Sequence, residues 1–112
     1  MNDMTPLPRP EAKVTVVGDT VVRKYHISAN TVLTGHVHSY DHLSILISGH
    51  GVLFREGEGP ERLHGPASVV IKAGVLHSFH ALTACVWDCL HSFRDLEAAK
   101  AIGDTVNLEG VP

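Results

Sequence analysis

The alternation of apolar and polar residues divides the chain into short runs typical of β-strands. β-Branched and aromatic residues fill these runs, and Gly, Pro, Asn and Asp separate them. The predicted strands are Val14–Val17, Val21–Ile27, Leu33–His38, His42–Ser48, Gly51–Arg55, Ser68–Ile71, His77–Thr83 and Cys85–His91. One segment, Asp95–Ile102, has a helical pattern, with Asp95 as its N-cap. Many short strands separated by turns predict a closed barrel or a β-sandwich.

The strand predicted over residues 42–48 indicates which of its faces lines a pocket. One face is mixed and carries His42, Ser44, Leu46 and Ser48. The other face is uniformly apolar and carries Leu43, Ile45 and Ile47. We expect the mixed face to line an interior pocket and the apolar face to be covered by a second copy of the chain. The sequence therefore predicts a homodimer.

Length and charge exclude several classes of function. The chain has 112 residues, 44% of them hydrophobic, which suits one folded domain. Its nine basic residues are scattered and the formal net charge is -3, so we expect neither nucleic-acid nor membrane binding. The first ten residues contain three prolines and no apolar segment typical of a secretory signal. We therefore expect a cytoplasmic protein.

Histidine and cysteine are the residue types that carry candidate chemistry. The sequence has nine histidines and two cysteines. Cys85 and Cys89 fall four positions apart on a predicted strand, which separates their Cα atoms by about 13 Å, too far for a disulfide. We expect both to be free thiols, and we assign no function to them, to His80 or to His91.

Three histidines are crowded into the segment GHVHSYDH, at positions 36, 38 and 42. On a strand, His36 and His38 would share one face, about 7 Å apart. A turn at residues 39–41 would start an antiparallel neighbour with His42, and the hairpin would bring the three imidazoles together. His77 opens a later strand and is the fourth candidate, although spacing alone does not prove its contact with the others. Neutral imidazoles suit Fe, Mn, Co, Ni, Cu or Zn and disfavour Mg and Ca.

The segments that carry these histidines resemble the two sequence motifs of the cupin superfamily. The first cupin motif has Gly, then HxH, Glu and Gly; here Asn30, His36, His38, His42 and Gly49 occupy those positions. The second motif is matched around residues 72–81, with His77 at the histidine position. The resemblance implies an all-β cupin jelly-roll β-barrel, or double-stranded β-helix, with a short C-terminal helix. We divide the chain into an N-terminal arm (1–12), a barrel (13–94), and a helix with a tail (95–112).

The resemblance also implies a metal site and a class of reaction. The expected ligands of one divalent transition metal ion, most simply Fe or Mn, are His36, His38, His42 and His77. Histidine in place of Glu at position 42 leaves the ion's full +2 charge, which favours anionic ligands. Tyr25, Phe54 and Phe79 are candidate walls of the substrate pocket. We expect a metal-dependent oxidoreductase of the dioxygenase type that acts on a small chelating organic substrate.

Other functions stay open at this point. Cupins that bind or sense a ligand without turnover, and cupin isomerases or lyases, are the alternatives. The segment HVHSYDH is also close to the HxHxDH motif of metallo-β-lactamase-like hydrolases, but it has one residue too many before Asp41. That fold also needs a longer chain with flanking helices.

Overall fold

A computed structural model describes residues 11–35 and 37–101. This part of the chain forms nine β-strands followed by one α-helix. The elements are β1 Ala12–Val17, β2 Thr20–Ile27, β3 Val32–Thr34, β4 His42–Ser48, β5 His50–Arg55, β6 Glu61–His64, β7 Ala67–Ile71, β8 His77–Ala81, β9 Cys85–Ser92 and α1 Phe93–Ala101. Within the described ranges, no helix is long and apolar enough to span a membrane.

The strands form two antiparallel sheets that face each other. The first sheet has the order β1-β2-β9-β4-β7 and the second has the order β3-β8-β5-β6. Strands that are neighbours in a sheet are mostly distant in sequence, so the chain crosses repeatedly from one sheet to the other. The prediction of an all-β, two-layered fold with one short C-terminal helix is confirmed.

The core lies between the sheets and follows the predicted alternation. In β4, His42, Ser44 and Leu46 are buried and point inward. Phe79 of β8 and Trp87 of β9 stack across the core, with their ring centroids 4.6 Å apart. The interior is therefore apolar at its centre, and polar side chains occupy one end of it.

The outer face of β4 is apolar, as predicted. Leu43, Ile47 and Val70 lie there on the adjacent strands β4 and β7, and each is more than one-third exposed. Leu43 is also paired with Leu90 of β9, which extends the apolar surface across a third strand. That a second copy of the chain covers this face stays a prediction.

Two details of the strand assignment are wrong. The expected strand Leu33–His38 ends at Thr34, and β3 pairs with β8 in the second sheet, whereas β4 belongs to the first. β3 and β4 therefore lie in different sheets and do not form the predicted hairpin. Strand β6 was not predicted, because Leu63 is the one apolar residue among its four.

The C-terminal helix starts earlier than predicted. It begins at Phe93, and the hydroxyl of Ser92 accepts a 3.3 Å hydrogen bond from the amide of Asp95. Ser92 is therefore the N-cap, and Asp95 lies in the first turn, where its negative charge is favourable. The helix boundary falls two residues before the predicted division at residue 95. The arm up to residue 10 and the tail after residue 101 lie outside the described residues.

Candidate metal centre

One end of the space between the sheets is a small cavity that collects most of the predicted site. The cavity has a volume of about 40 Å³. Its walls are Arg23, Tyr25, Leu33, Thr34, Gly35, His38, His42, His77, Phe79, Trp87, Cys89 and His91. None of these described lining residues is an aspartate or a glutamate.

Three imidazoles form the closest group of possible metal ligands. His38, His42 and His91 each offer a nitrogen, and these three atoms lie within 4.8 Å of one another. The ring centroid of His42 is 4.7 Å from that of His91 and 5.3 Å from that of His38. The His38 and His91 centroids are 5.5 Å apart. The arrangement is compact enough for one ion to reach all three.

Neighbouring strands of the first sheet place two of these histidines. His42 opens β4, and His91 lies near the end of β9. Leu43 and Leu90 are directly paired, so the next position along the same register brings His42 opposite His91. Directly opposite residues point to the same face of a sheet. Both imidazoles therefore enter the cavity side by side.

His38 lies in the loop that crosses between the sheets. Its main-chain carbonyl accepts a 2.9 Å hydrogen bond from the amide of Gly74. Three residues further along, the Asp41 carboxylate accepts a 2.8 Å hydrogen bond from the amide of Ala73. Asp41 therefore joins this loop to the loop preceding β8. Two hydrogen bonds, one accepted by a backbone carbonyl and one by the Asp41 carboxylate, thus join the two segments that match the cupin motifs.

His77 lies beside the group but is not part of it. Its ring centroid is 6.0 Å from that of His42, and it is buried where β8 begins. Its Nδ1 lies 3.4 Å from the carbonyl oxygen of Val75. Since a carbonyl only accepts, this contact favours a proton on Nδ1 and a lone pair on Nε2, the form that binds metals. A methyl group at Gly35 would overlap the His77 ring, so glycine at this position allows the backbone to lie close to the imidazole.

Burial keeps two of the imidazoles neutral. It lowers the pKa of His42 to about 4, and the neighbouring histidines His38 and His77 lower it further. Burial likewise lowers the pKa of His91 to about 3, with added repulsion from His42, His38 and Arg23. At neutral pH both rings are therefore uncharged, which is the state needed for coordination.

The donor set fits a transition metal ion. Nδ1 of His42 is buried and has no hydrogen-bond partner among the described residues. A buried polar nitrogen without a partner is destabilising, and coordination would satisfy it. Imidazoles without carboxylates select Fe, Mn, Co, Ni, Cu or Zn rather than Mg or Ca.

The wall next to the histidines includes a thiol. Cys89 Sγ lies 3.2 Å from Nε1 of Trp87 and 3.6 Å from Oγ of Ser44, both of which donate to it. Burial raises the pKa of the Cys89 thiol, so it stays protonated and is a poor nucleophile. Cys85 and Cys89 are both free, as the sequence predicted.

The remaining predicted site residues do not all lie at the cavity. Tyr25 and Phe79 line the cavity. Phe54 does not: it is 39% exposed, and its ring lies 4.5 Å from that of His80 on the outer face of β5. Alternation along β5 turns Leu53 inward and Phe54 outward. His36 lies outside the described residues and stays a prediction.

Sequence reasoning missed His91, Arg23 and Tyr40. His91 shares a strand face with Trp87, and a tryptophan that is 2% exposed shows which way this face points. The sequence shows that His91 and Trp87 share a face, and the structure shows that this face points inward. Arg23 alternates with Val21 and Tyr25 on the buried face of β2 in the same way. Tyr40 stands in the loop, and no pattern indicated that it contacts the site.

Comparisons by sequence identify no relative: no family model matches the chain, and no curated protein does. The fold, by contrast, is similar to that of solved structures. A protein with a double-stranded β-helix domain from Klebsiella pneumoniae has a TM-score of 0.67 and 17% identity, over 79% of this chain and 80% of that one. A cupin-2 domain protein from Shewanella frigidimarina has a TM-score of 0.62 and 15% identity, over 77% and 83%.

A larger enzyme contains a similar unit. Salicylate 1,2-dioxygenase from Pseudoaminobacter salicylatoxidans has a TM-score of 0.71 and 17% identity, over 87% of this chain but 28% of that one. Identities this low establish the fold alone. The chain has the cupin double-stranded β-helix fold, which confirms the predicted fold class.

Proposed function

We propose that the protein is a metal-dependent cupin in which imidazoles of the interior cavity hold one divalent transition metal ion. His38, His42 and His91 are the closest candidate ligands, and His77 lies beside His42 as a further candidate. His36 is kept as a ligand candidate from the sequence. The observation that carries the proposal is the convergence of three imidazole nitrogens within 4.8 Å at the end of a narrow cavity.

The chemistry of the cavity supports an oxidoreductase of the dioxygenase type as the activity. When bound, a redox-active ion such as Fe or Mn supplies a Lewis acid and an electron relay for a chelated substrate. The protein contributes the orientation of the substrate beside the ion. Tyr25 and Phe79 offer apolar walls, and neutral imidazoles leave the positive charge of the ion uncompensated.

The isomerase and lyase alternatives have less support. Such reactions usually need a positioned general acid and base, and carboxylates are frequent in that role. The described cavity lining contains no carboxylate. Low pKa values make His42 and His91 weak bases at neutral pH. The similarity in fold to salicylate 1,2-dioxygenase is compatible with the proposal but adds nothing about the substrate.

Oxygen consumption tests the proposed activity. The protein is stripped with chelator, reconstituted separately with Fe(II), Mn(II), Cu(II) and Ni(II), and supplied with a 1,3-diketone, a catechol and a 2-oxo acid. We expect oxygen uptake with at least one combination of metal and substrate. His42→Ala should abolish it, whereas His26→Ala, which alters an exposed histidine on the outer face of β2, should not.

The same experiment separates the enzyme from a binding module. Tight binding of one of these compounds without oxygen uptake or product formation would overturn the dioxygenase proposal and support a non-catalytic cupin. Product formation without oxygen uptake would instead support an isomerase or a lyase. Activity that survives complete removal of the metal would contradict the metal-dependent account.

A further inference from the structure

A buried arginine with no acceptor lies in the wall of the cavity. Arg23 is in the middle of β2, points inward and is 6% exposed. Its Nε and Nη2 atoms are buried, and neither has a hydrogen-bond partner among the described residues. A guanidinium carries five N–H donors and stays charged in proteins. Arg23 therefore cannot reduce the cost of burial by losing its proton.

The neighbours of Arg23 on the inner face do not balance its charge. Cys89 is directly opposite it on β9, and His91 is the next inward residue along that strand. The thiol is protonated, and the positive charge of Arg23 contributes to the low pKa of His91. The adjacent carboxylate, Asp88, belongs to the opposite face of β9 and lies 3.3 Å from the ammonium group of Lys24. The cavity thus holds a fixed cation without a counter-ion from its described lining.

A metal ion at the imidazoles would increase this imbalance. The ion adds two positive charges to the one on Arg23 in the same cavity. Like charges that line one cavity repel each other more strongly than they would in water, and an unpaired buried charge is strongly destabilising. A ligand that carries negative charge would relieve both effects at once.

We propose that Arg23 recognises the carboxylate of a small organic acid whose other oxygen reaches the metal site, an inference that rests on the function proposed above. A guanidinium and a carboxylate match in geometry through two parallel N–H···O hydrogen bonds. The ligand class is therefore a short carboxylate with a second oxygen donor beside it, as in 2-oxo acids.

Binding of pyruvate, a minimal 2-oxo acid, tests the proposal by calorimetry. Its neutral analogue pyruvamide keeps the same shape without the carboxylate, and inorganic phosphate is the competing class of anion. Each probe is titrated into metal-free protein and into protein whose Mn(II) content has been measured. Two variants are compared with the parent. Arg23→Met removes the charge from an unbranched side chain, and Arg23→Lys keeps the charge but cannot form the two parallel hydrogen bonds of a guanidinium. Lys24→Met is the matched control on the outer face of the same strand.

We expect pyruvate to bind about tenfold or more tightly than pyruvamide, the range of a charge-assisted hydrogen-bonded pair. Arg23→Met should remove that preference, Arg23→Lys should keep part of it, and Lys24→Met should leave it unchanged. Arg23→Met should also melt at the same or a higher temperature than the parent protein without ligand, because an unpaired buried charge is lost. If this variant does not fold, the parent's discrimination between pyruvate and pyruvamide decides the matter.

Equal affinity for pyruvate and pyruvamide, an unchanged pyruvate affinity in Arg23→Met, or tighter binding of phosphate than of pyruvate would each overturn the proposal. Its failure is distinct from that of the metal proposal. Protein that binds no metal but binds pyruvate through Arg23 supports the anion site and contradicts the metal centre. Protein that holds a metal but binds pyruvate and pyruvamide equally supports the metal centre and contradicts the anion site.

Discussion

The hydroxyl of Tyr40 lies 3.0 Å from Nδ1 of His91, and the ring of Tyr40 stacks on His38 with centroids 5.2 Å apart. One loop residue thus contacts two of the three converging imidazoles. If Nδ1 of His91 donates its proton to the Tyr40 oxygen, Nε2 keeps the lone pair that a metal needs. Tyr40 is therefore a positioning residue for the proposed site.

Tyr40→Phe should weaken metal binding without unfolding the protein. The substitution removes the hydroxyl and leaves the aromatic ring that stacks on His38. Loss of such a supporting hydrogen bond usually lowers metal affinity by about tenfold or more. Competition with a chromophoric chelator measures the dissociation constant for Mn(II) or Zn(II). An unchanged constant would show that Tyr40 does not orient His91.

Gly35→Ala should displace His77. A methyl group at this position would overlap the imidazole, so either the ring or the loop must move. We expect weaker metal binding in the chelator competition, by about tenfold or more, with the fold preserved. Gly59→Ala is the matched control, because a methyl group there has nothing within 4 Å. Equal affinity in the two variants would indicate that His77 takes no part in the site.

The metal-free protein should lose stability as the pH falls from about 6.5 to about 4. The pKa of His42 is about 4 and that of His91 about 3 in the folded protein, against 6.5 for an ordinary histidine. In this pH range the two histidines bind protons in the unfolded chain but stay unprotonated in the folded protein. The free energy of unfolding therefore drops by about 1.4 kcal/mol per pH unit for each such proton.

Urea denaturation of chelator-treated protein at several pH values measures this dependence. His42→Gln removes one of the two groups and should reduce the slope by about half. A free energy of unfolding that is the same at pH 7 and pH 5 would mean that these histidines are not buried in the neutral form.

The alternation of apolar and polar residues along the strands was enough to predict an all-β fold and which face of β4 is buried. Residues His42–Ser48 alternate between faces, and this alternation correctly separated the interior residue Leu46 from the outer residue Leu43. Asn30 occupies the position where the cupin motif usually has glycine, and it has the positive φ that Asn tolerates better than most residues. These features are local, because each depends on one strand or one turn.

Features that depend on how distant strands meet could not be read from the sequence. The face of β9 that carries His91 was recognisable as a face, but its direction depends on the pairing of β9 between β2 and β4. The same is true of Arg23, whose burial follows from its position opposite Cys89. For Phe54, size and aromaticity suggested a pocket wall, whereas the register of β5 turns it outward.

The central claim is that imidazoles of the cavity hold one metal ion, and elemental analysis of the purified protein tests it most directly. Metal content per chain is measured by mass spectrometry for the parent protein, His42→Ala and the exposed control His26→Ala after identical purification. We predict close to one divalent transition metal ion per chain in the parent and the control, and little in His42→Ala. Absence of metal from the parent even after reconstitution, or full occupancy in His42→Ala, would contradict the account.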